Sequence, residues 1–248
     1  QMLGLPADDA EFDRRFRFGF LLEHADLFRA LGRGWRGLAR TMPLTRHDAS
    51  PASGGLCFFY NFNQGLPALA TLRAAGYQVY LVYRSLDARP PGVGWLRYGY
   101  MRLRLRMVAS VCGNRGIGTG GARERIAETI GAGGLVCVAA DTPPRPNTGL
   151  VPVRFPDGRQ AWWRSGVLKL ALQLPGARRC FSVRLDWTTR QRTLDLKLLP
   201  PTQDLGELVQ QLNDEFLDIL AGQSELWFYW PGPQGFFQFP EGGRLDLG

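Results

Sequence analysis

Asn61-Phe62-Asn63-Gln64-Gly65 is a polar knot between an aromatic apolar run, Leu56 to Tyr60, and a Leu/Ala-rich segment of helical period ending at Gly76. Strand, loop and helix follow one another there, and the carboxyl edge of such a strand is where open α/β sheets bind ligands. The amides of Asn61 and Asn63 donate and accept hydrogen bonds but have no nitrogen that takes a proton near neutral pH. Three other places could carry chemistry. Asp141 closes the apolar run Leu135 to Ala140, where a carboxylate can meet a ligand or cap its own turn. Asn114 to Gly121 is glycine-rich and precedes an expected helix, Ala122 to Ile130, so its backbone N–H groups and Arg115 could hold an anion. His47-Asp48 sets an imidazole beside a carboxylate, but neighbours in sequence point apart in most backbones, which makes His47 a poor source of a general base.

The elements that must position these residues are legible from periodicity. Glu11 to Arg40 has apolar positions at helical spacing and reads as one or two amphipathic helices, followed by a Pro/Ser/Gly/Asp-rich linker from Met42 to Gly55. Gln78 to Arg84 reads as a strand, and Leu135 to Ala140 as a strand buried on both faces. Val151 to Phe155 is a short strand, and Ala161 to Leu174 a helix with Trp162 and Trp163 at its start. Cys180 to Trp187 and Thr193 to Leu198 form an antiparallel hairpin at one edge of the sheet. Asp204 to Ala221 is a helix capped by Asp204. The expected fold is α/β, a three-layer sandwich with a mostly parallel central sheet flanked by helices. Residues 1–55 form a helical region and linker and 56–248 the α/β part, together one compact domain.

Composition narrows the partners. The chain of 248 residues carries a formal charge of +8, almost wholly on arginine, since Lys169 and Lys197 are the only lysines. Guanidinium presents a planar fork to phosphate oxygens, as in lipid headgroups, an acidic carrier protein or nucleic acid. No nucleic-acid reader motif accompanies the charge, which argues against nucleic acid. Arg97, Arg102, Arg104 and Arg106 lie among Trp95, Tyr98, Tyr100, Met101, Leu103 and Leu105, a pattern suited to a membrane interface or to a helix with one buried stripe. The cysteines are widely spaced with no Cys-x-x-Cys pair, which fits reduced buried thiols in the cytosol and argues against zinc. No run of about 18 apolar residues spans a bilayer.

From Leu56 to Pro231 the order of elements resembles the bacterial lysophospholipid acyltransferase-like proteins, particularly the lipid A late acyltransferases. In that family a strand ends in His-Phe-x-Asn-Trp-Asp/Glu and a helix closes in an Ala-x-Gly-Tyr turn. Counting back from Gly76-Tyr77, the family histidine falls on Asn61 and the family carboxylate on Leu66. The histidine is the general base there and the carboxylate orients it, so the resemblance implies a site without its catalytic dyad. Arg84 stands where the family has Tyr-Arg-Pro, with Asp87 close enough to pair with it. Asp141 stands where the family has Asp-Gln, with Thr142 in place of the glutamine. Arg115 fits a basic position loosely. Glu225 to Pro231 is similar to the closing Gln-Tyr-x-Trp motif, with Gly-Pro-Gln-Gly-Phe-Phe replacing an arginine-rich tail.

The resemblance therefore implies a non-catalytic or unconventional member that binds an acyl chain, acyl thioester or lipid acceptor through Asn61, Asn63, Arg84, Arg115 and Asp141. The alternative is active acyl transfer from acyl carrier protein or CoA to a lipid or other hydroxyl, with Asp141 or His47 as the base or with an acceptor ionised enough to need none. No cofactor or metal is implied. The partners would be the acyl carrier or acyl-CoA, a lipid or membrane surface, and another biosynthetic enzyme. The place would be the cytoplasm, peripheral on the inner membrane. Family members often begin with a membrane anchor, and Gln1 is not a natural start, which suggests that an anchor preceded it.

Overall fold

The structure is a computed structural model that describes residues 9–47, 51, 53–62, 65–83, 86, 88–119, 121–155, 157–227, 229 and 234–246. Along the chain run α1 (Asp9–Ala39), β1 (Leu44–His47), β2 (Gly55–Phe59), α2 (Gly65–Ala74), β3 (Val79–Tyr83), α3 (Trp95–Val111), β4 (Gly116–Gly118), α4 (Ala122–Gly131) and β5 (Leu135–Ala139). There follow β6 (Gly149–Arg154), β7 (Gln160–Arg164), α5 (Gly166–Gln173), β8 (Ala177–Leu185), β9 (Arg192–Leu198), α6 (Leu205–Gln223), α7 (Gln234–Phe237) and β10 (Arg244–Leu245). Seven strands make one sheet in the order β1-β9-β8-β2-β5-β3-β4, and β10-β6-β7 make a second, small one. Strands β8, β2, β5, β3 and β4 run parallel, while β9 is antiparallel to β8 and β1 follows β9. The fold is α/β with three layers, as the periodicity leads one to expect.

Burial on both faces explains why β2 and β5 read as unbroken apolar runs. Leu56, Phe58, Val136 and Val138 point into a core shared with α4, α5, α6 and the small sheet. Their neighbours Cys57, Leu135 and Cys137 point into the opposite core, under α1, α2 and the end of α3. The cysteines are free and buried, small apolar fillers rather than reactive groups. Gly55 is required where β2 meets β8, because a Cβ there would lie 1.9 Å from the Ala177 carbonyl oxygen.

The connections place the site. From β2 through α2 to β3, and through α3 to β4, the chain advances along the sheet. Through α4 to β5, and on to β8, it returns. Right-handed crossovers put the outgoing and returning helices on opposite faces. Neighbouring β2 and β5 therefore send their chains to opposite sides, and the crevice beyond their carboxyl ends is the topological switch point.

Several elements differ from the sequence pattern. The linker contains β1, a strand of four residues that pairs with β9 and takes the edge position expected for the hairpin. The hairpin of β8 and β9 is present one place inward. The expected helix from Ala161 divides into β7 and the shorter α5. Registered pairing of Val151 with Trp163 and Pro152 with Trp162 draws the tryptophans into a hairpin with β6. As strand neighbours they point apart: Trp163 is fully buried against Phe216, and Trp162 meets Phe239 edge-on. The glycine-rich segment contains β4, only three residues long. α1 holds a kink at Gly34, whose φ of 64° and ψ of −177° lie outside helical space. The cap of α6 stands as expected, with Asp204 accepting the Glu207 N–H at 2.7 Å.

A buried ion pair fastens α1 to the sheet. Asp26 and Arg192, with side chains 1% and 4% exposed, are joined by two N–H···O bonds, and Arg192 Nη2 also donates to Thr41 Oγ1 at 2.9 Å. Removing one partner strands the other charge away from water. Asp26→Ala should lower unfolding stability by roughly 3–5 kcal/mol, read as a shifted urea midpoint. An unshifted midpoint would show that α1 is held by its apolar face alone.

Candidate functional site

At the switch point a carboxylate joins three segments. Asp141 is 0% exposed. It accepts the Asn61 backbone N–H at 3.0 and 3.2 Å, the Asn61 side-chain Nδ2 at 2.7 Å and the Trp227 indole Nε1 at 2.9 Å. The ends of β2 and β5 are thereby tied to the chain beyond α6. Burial pushes the Asp141 carboxyl up to about 7, and the donated N–H bonds from Asn61 and Trp227 oppose that rise. Asn61 and Asp141 were separate candidates in the sequence, and the fold brings them into direct contact. Trp227 was not among the candidates, although an indole offers only a donor and, when buried, must find an acceptor.

Two cavities open on Asn61. The larger, about 770 Å³, lies beyond the carboxyl ends of β3 and β5 and is bounded by Arg145, Arg164, Lys169, Tyr229, Arg244 and Asp246 as well as Asn61. The smaller, about 190 Å³, lies on the α1–α2–α3 side and is lined mainly by apolar side chains, including Phe62, Leu66, Leu69 and Phe181. Its charged groups are Glu23 and Arg104, which form an ion pair. Leu66, in the first turn of α2, is buried in that wall. Asp141 lies behind Asn61 with its oxygens committed to N–H donors. It can hold Asn61 in place, but it is not aimed as a base into either cavity.

The remaining candidates separate from this centre. Arg115 precedes β4 at its amino end and lies 5.8 Å from the Tyr80 ring, whereas Thr119, past the carboxyl end of β4, reaches the larger cavity. A cation expected at the site is thus displaced by the direction of a strand too short to be seen in the sequence. His47 ends β1, three strands from β2, about 14 Å away at ordinary strand spacing. The backbone of β1 thus runs three strands away from the strand that ends at Asn61. His24 bonds the Phe20 carbonyl at 2.8 Å and stacks on Tyr100, outside both cavity walls. Asn63, Arg84 and Asp87 lie outside the described residues.

Sequence reasoning passed over Glu23, Arg145, Arg164, Lys169, Tyr229 and Asp246. The signal for Lys169 was its rarity, and for Arg145 its place among prolines after Asp141. Neither reveals a cavity.

No protein-family model matches the chain, and no curated protein sequence matches it. The resemblance to acyltransferases rests on the residues and the order of elements. No helix among the described residues is long and apolar enough to cross a membrane.

The raised Asp141 pKa sets a pH dependence. An unfolded aspartate titrates near about 3.9, so the native state holds this proton more tightly. The resulting stability is complete below about pH 4 and is lost as pH rises through about 7. Relative to Asp141→Asn, the wild-type protein should lose on the order of 4 kcal/mol between pH 4 and 8, measured by urea unfolding at each pH. Parallel curves would mean that the carboxyl ionises freely in the native state.

Proposed function

We propose that this chain is an acyltransferase-like protein that binds an acyl chain, acyl thioester or lipid acceptor without the family's ordinary catalysis. One observation carries the reading: Asn61 and Leu66, the two positions where the resemblance puts the dyad, line the same cavity, whose wall is mainly apolar apart from the Glu23–Arg104 pair. An amide beside an aliphatic side chain can bind but cannot take the acceptor hydroxyl's proton. Asn61 also borders the larger, cationic cavity, so a hydrocarbon chain on one side and an anionic headgroup or carrier on the other would meet at one residue.

An active enzyme using another base is the competing reading. Its best carboxylate is Glu23, which lines the small cavity and pairs with Arg104. With acyl carrier protein and acyl-CoA thioesters and lipid acceptors, the wild-type protein should transfer no acyl group above background. Joint restoration of the dyad, Asn61→His with Leu66→Asp, should raise transfer about 10²–10⁴-fold. Wild-type transfer that Glu23→Gln abolishes would reject the disarmed reading in favour of a relocated base.

The same reading includes a peripheral position on an anionic membrane. Phe20, Leu21, Phe28 and Leu31 of α1 and Trp95 and Leu96 of α3 are exposed, Leu96 at 93%. The His24–Tyr100 stack and the Glu23–Arg104 pair join the two helices, whose sequences are rich in arginine. Apolar groups that enter a lipid interface beside guanidiniums that meet phosphate are the composition of an interfacial surface. Phe28→Ser with Trp95→Ser should weaken binding to anionic vesicles at least tenfold, and high salt should weaken it further. Unchanged sedimentation with vesicles would remove the membrane from this proposal.

A further inference from the structure

Two guanidiniums border the larger cavity with no acid assigned to them. Arg164, at the end of β7, commits its Nε to the Pro143 carbonyl at 2.9 Å. Neither it nor Arg145 has an ion-pair partner among the described residues. Burial lowers the Arg164 pKa, and the nearby Arg145 lowers it further. Arg164 is half-buried and Arg145 is exposed beside it; like charges placed together repel, and an anion between them relieves the repulsion.

Elsewhere in the same wall the protein supplies an anion of its own. The Asp246 carboxylate accepts the Ser165 hydroxyl, pairs with Lys169 Nζ at 2.6 Å and lies 3.7 Å from Arg244 Nε. Gly149 makes the room, since a Cβ there would fall 2.0 Å from Asp246 Oδ2. The segment that delivers this carboxylate has a firm root and a light tip. Phe236 is fully buried, its ring 5.2 Å from that of Trp227. The tip, β10, spans two residues and is held by Arg244 N–H to Thr148 O at 3.1 Å and Asp246 N–H to Leu150 O at 2.8 Å. Between root and tip the chain turns through Gly242, at φ 64°.

We propose that the larger cavity is a binding site for a phosphate-bearing ligand held by Arg145, Arg164 and Lys169, and that Asp246 is an internal stand-in which the phosphate displaces from Lys169 and Ser165. A phosphate has enough oxygens to engage two guanidiniums and an ammonium together, and at neutral pH more charge than the carboxylate it replaces. The cavity, about 770 Å³, has room for the group to which the phosphate is attached.

Calorimetric titration with inorganic phosphate tests this in a form that does not depend on whether the smaller cavity takes an acyl chain. Asp246→Asn should bind phosphate at least tenfold more tightly than wild type, and adding Lys169→Ala or Arg164→Met should abolish the gain. In the wild-type protein, saturating phosphate should speed amide hydrogen exchange at Arg244 and Asp246 as the tip leaves β6. Glycerol phosphate and vesicles of phosphatidic acid in phosphatidylcholine distinguish the source. A gain in both indicates a lipid headgroup, and a gain with the soluble ester alone indicates a free metabolite. Equal phosphate affinity in wild type and Asp246→Asn overturns the displacement, and no binding by either overturns the site. Should Asp246→Asn fail to fold, the exchange measurement decides alone, and unchanged rates in phosphate overturn the proposal.

Discussion

A carboxylate buried without a charged partner among the described residues organises this molecule. Asp141 is satisfied by N–H groups from a strand end and a distant indole, and an unpaired carboxylate in such a place is costly unless donors converge on it. The ends of β2 and β5 and the segment after α6 must therefore arrive together. The Trp227 indole reaches the carboxylate from within an aromatic cluster with Phe155, Phe216 and Phe236, so the polar contact is embedded in apolar packing that fixes its geometry. What results is an Asn61 side chain held at the boundary between an apolar cavity and a cationic one.

The arginines, which dominate the charge, do several different things. Arg192 is buried against Asp26, and the fully buried Arg179 donates to Ser53 at 2.6 Å and lies 5.9 Å from the Tyr77 ring. Arg73 lies over Trp35 at 4.1 Å and donates to the Ser110 and Val111 carbonyls, closing the end of α3. Arg15 reaches Glu225 at 3.3 Å and links α1 to the chain after α6. A planar donor fork on a long apolar stem suits such cross-links better than an ammonium. Net charge alone therefore overstates the basic surface, and Arg145 and Arg164 at the larger cavity stand out because no acid among the described residues pairs with them.

Much of the architecture was legible because it depends on local periodicity. The double-sided strands, the capped α6 and the β8–β9 hairpin are written as apolar runs, a cap residue and a turn, each a short-range signal. Trp162-Trp163 misled because adjacent aromatics suit a helix face or a strand equally, and the partner β6 decided between them. β1 and β4 escaped notice because three or four residues carry too little pattern to outweigh linker or glycine composition. Its place before a helix suggests a site role for Arg115, whereas the direction of β4 carries it to the other end of the sheet.

The amino-acid sequence by itself determined the class of fold, the position of Asn61 and Asp141 beyond strand ends, and the lack of a base where the family resemblance puts one. These follow from residue type and near neighbours. Only the tertiary structure decided that Asp141 grips Asn61 instead of facing a ligand, that β1, which ends in His47, lies at the sheet edge three strands from β2, and that Arg145, Arg164, Lys169 and Asp246 share one cavity. Strand order and crossover direction bring residues far apart in the chain into contact, and no local pattern encodes which of them will meet.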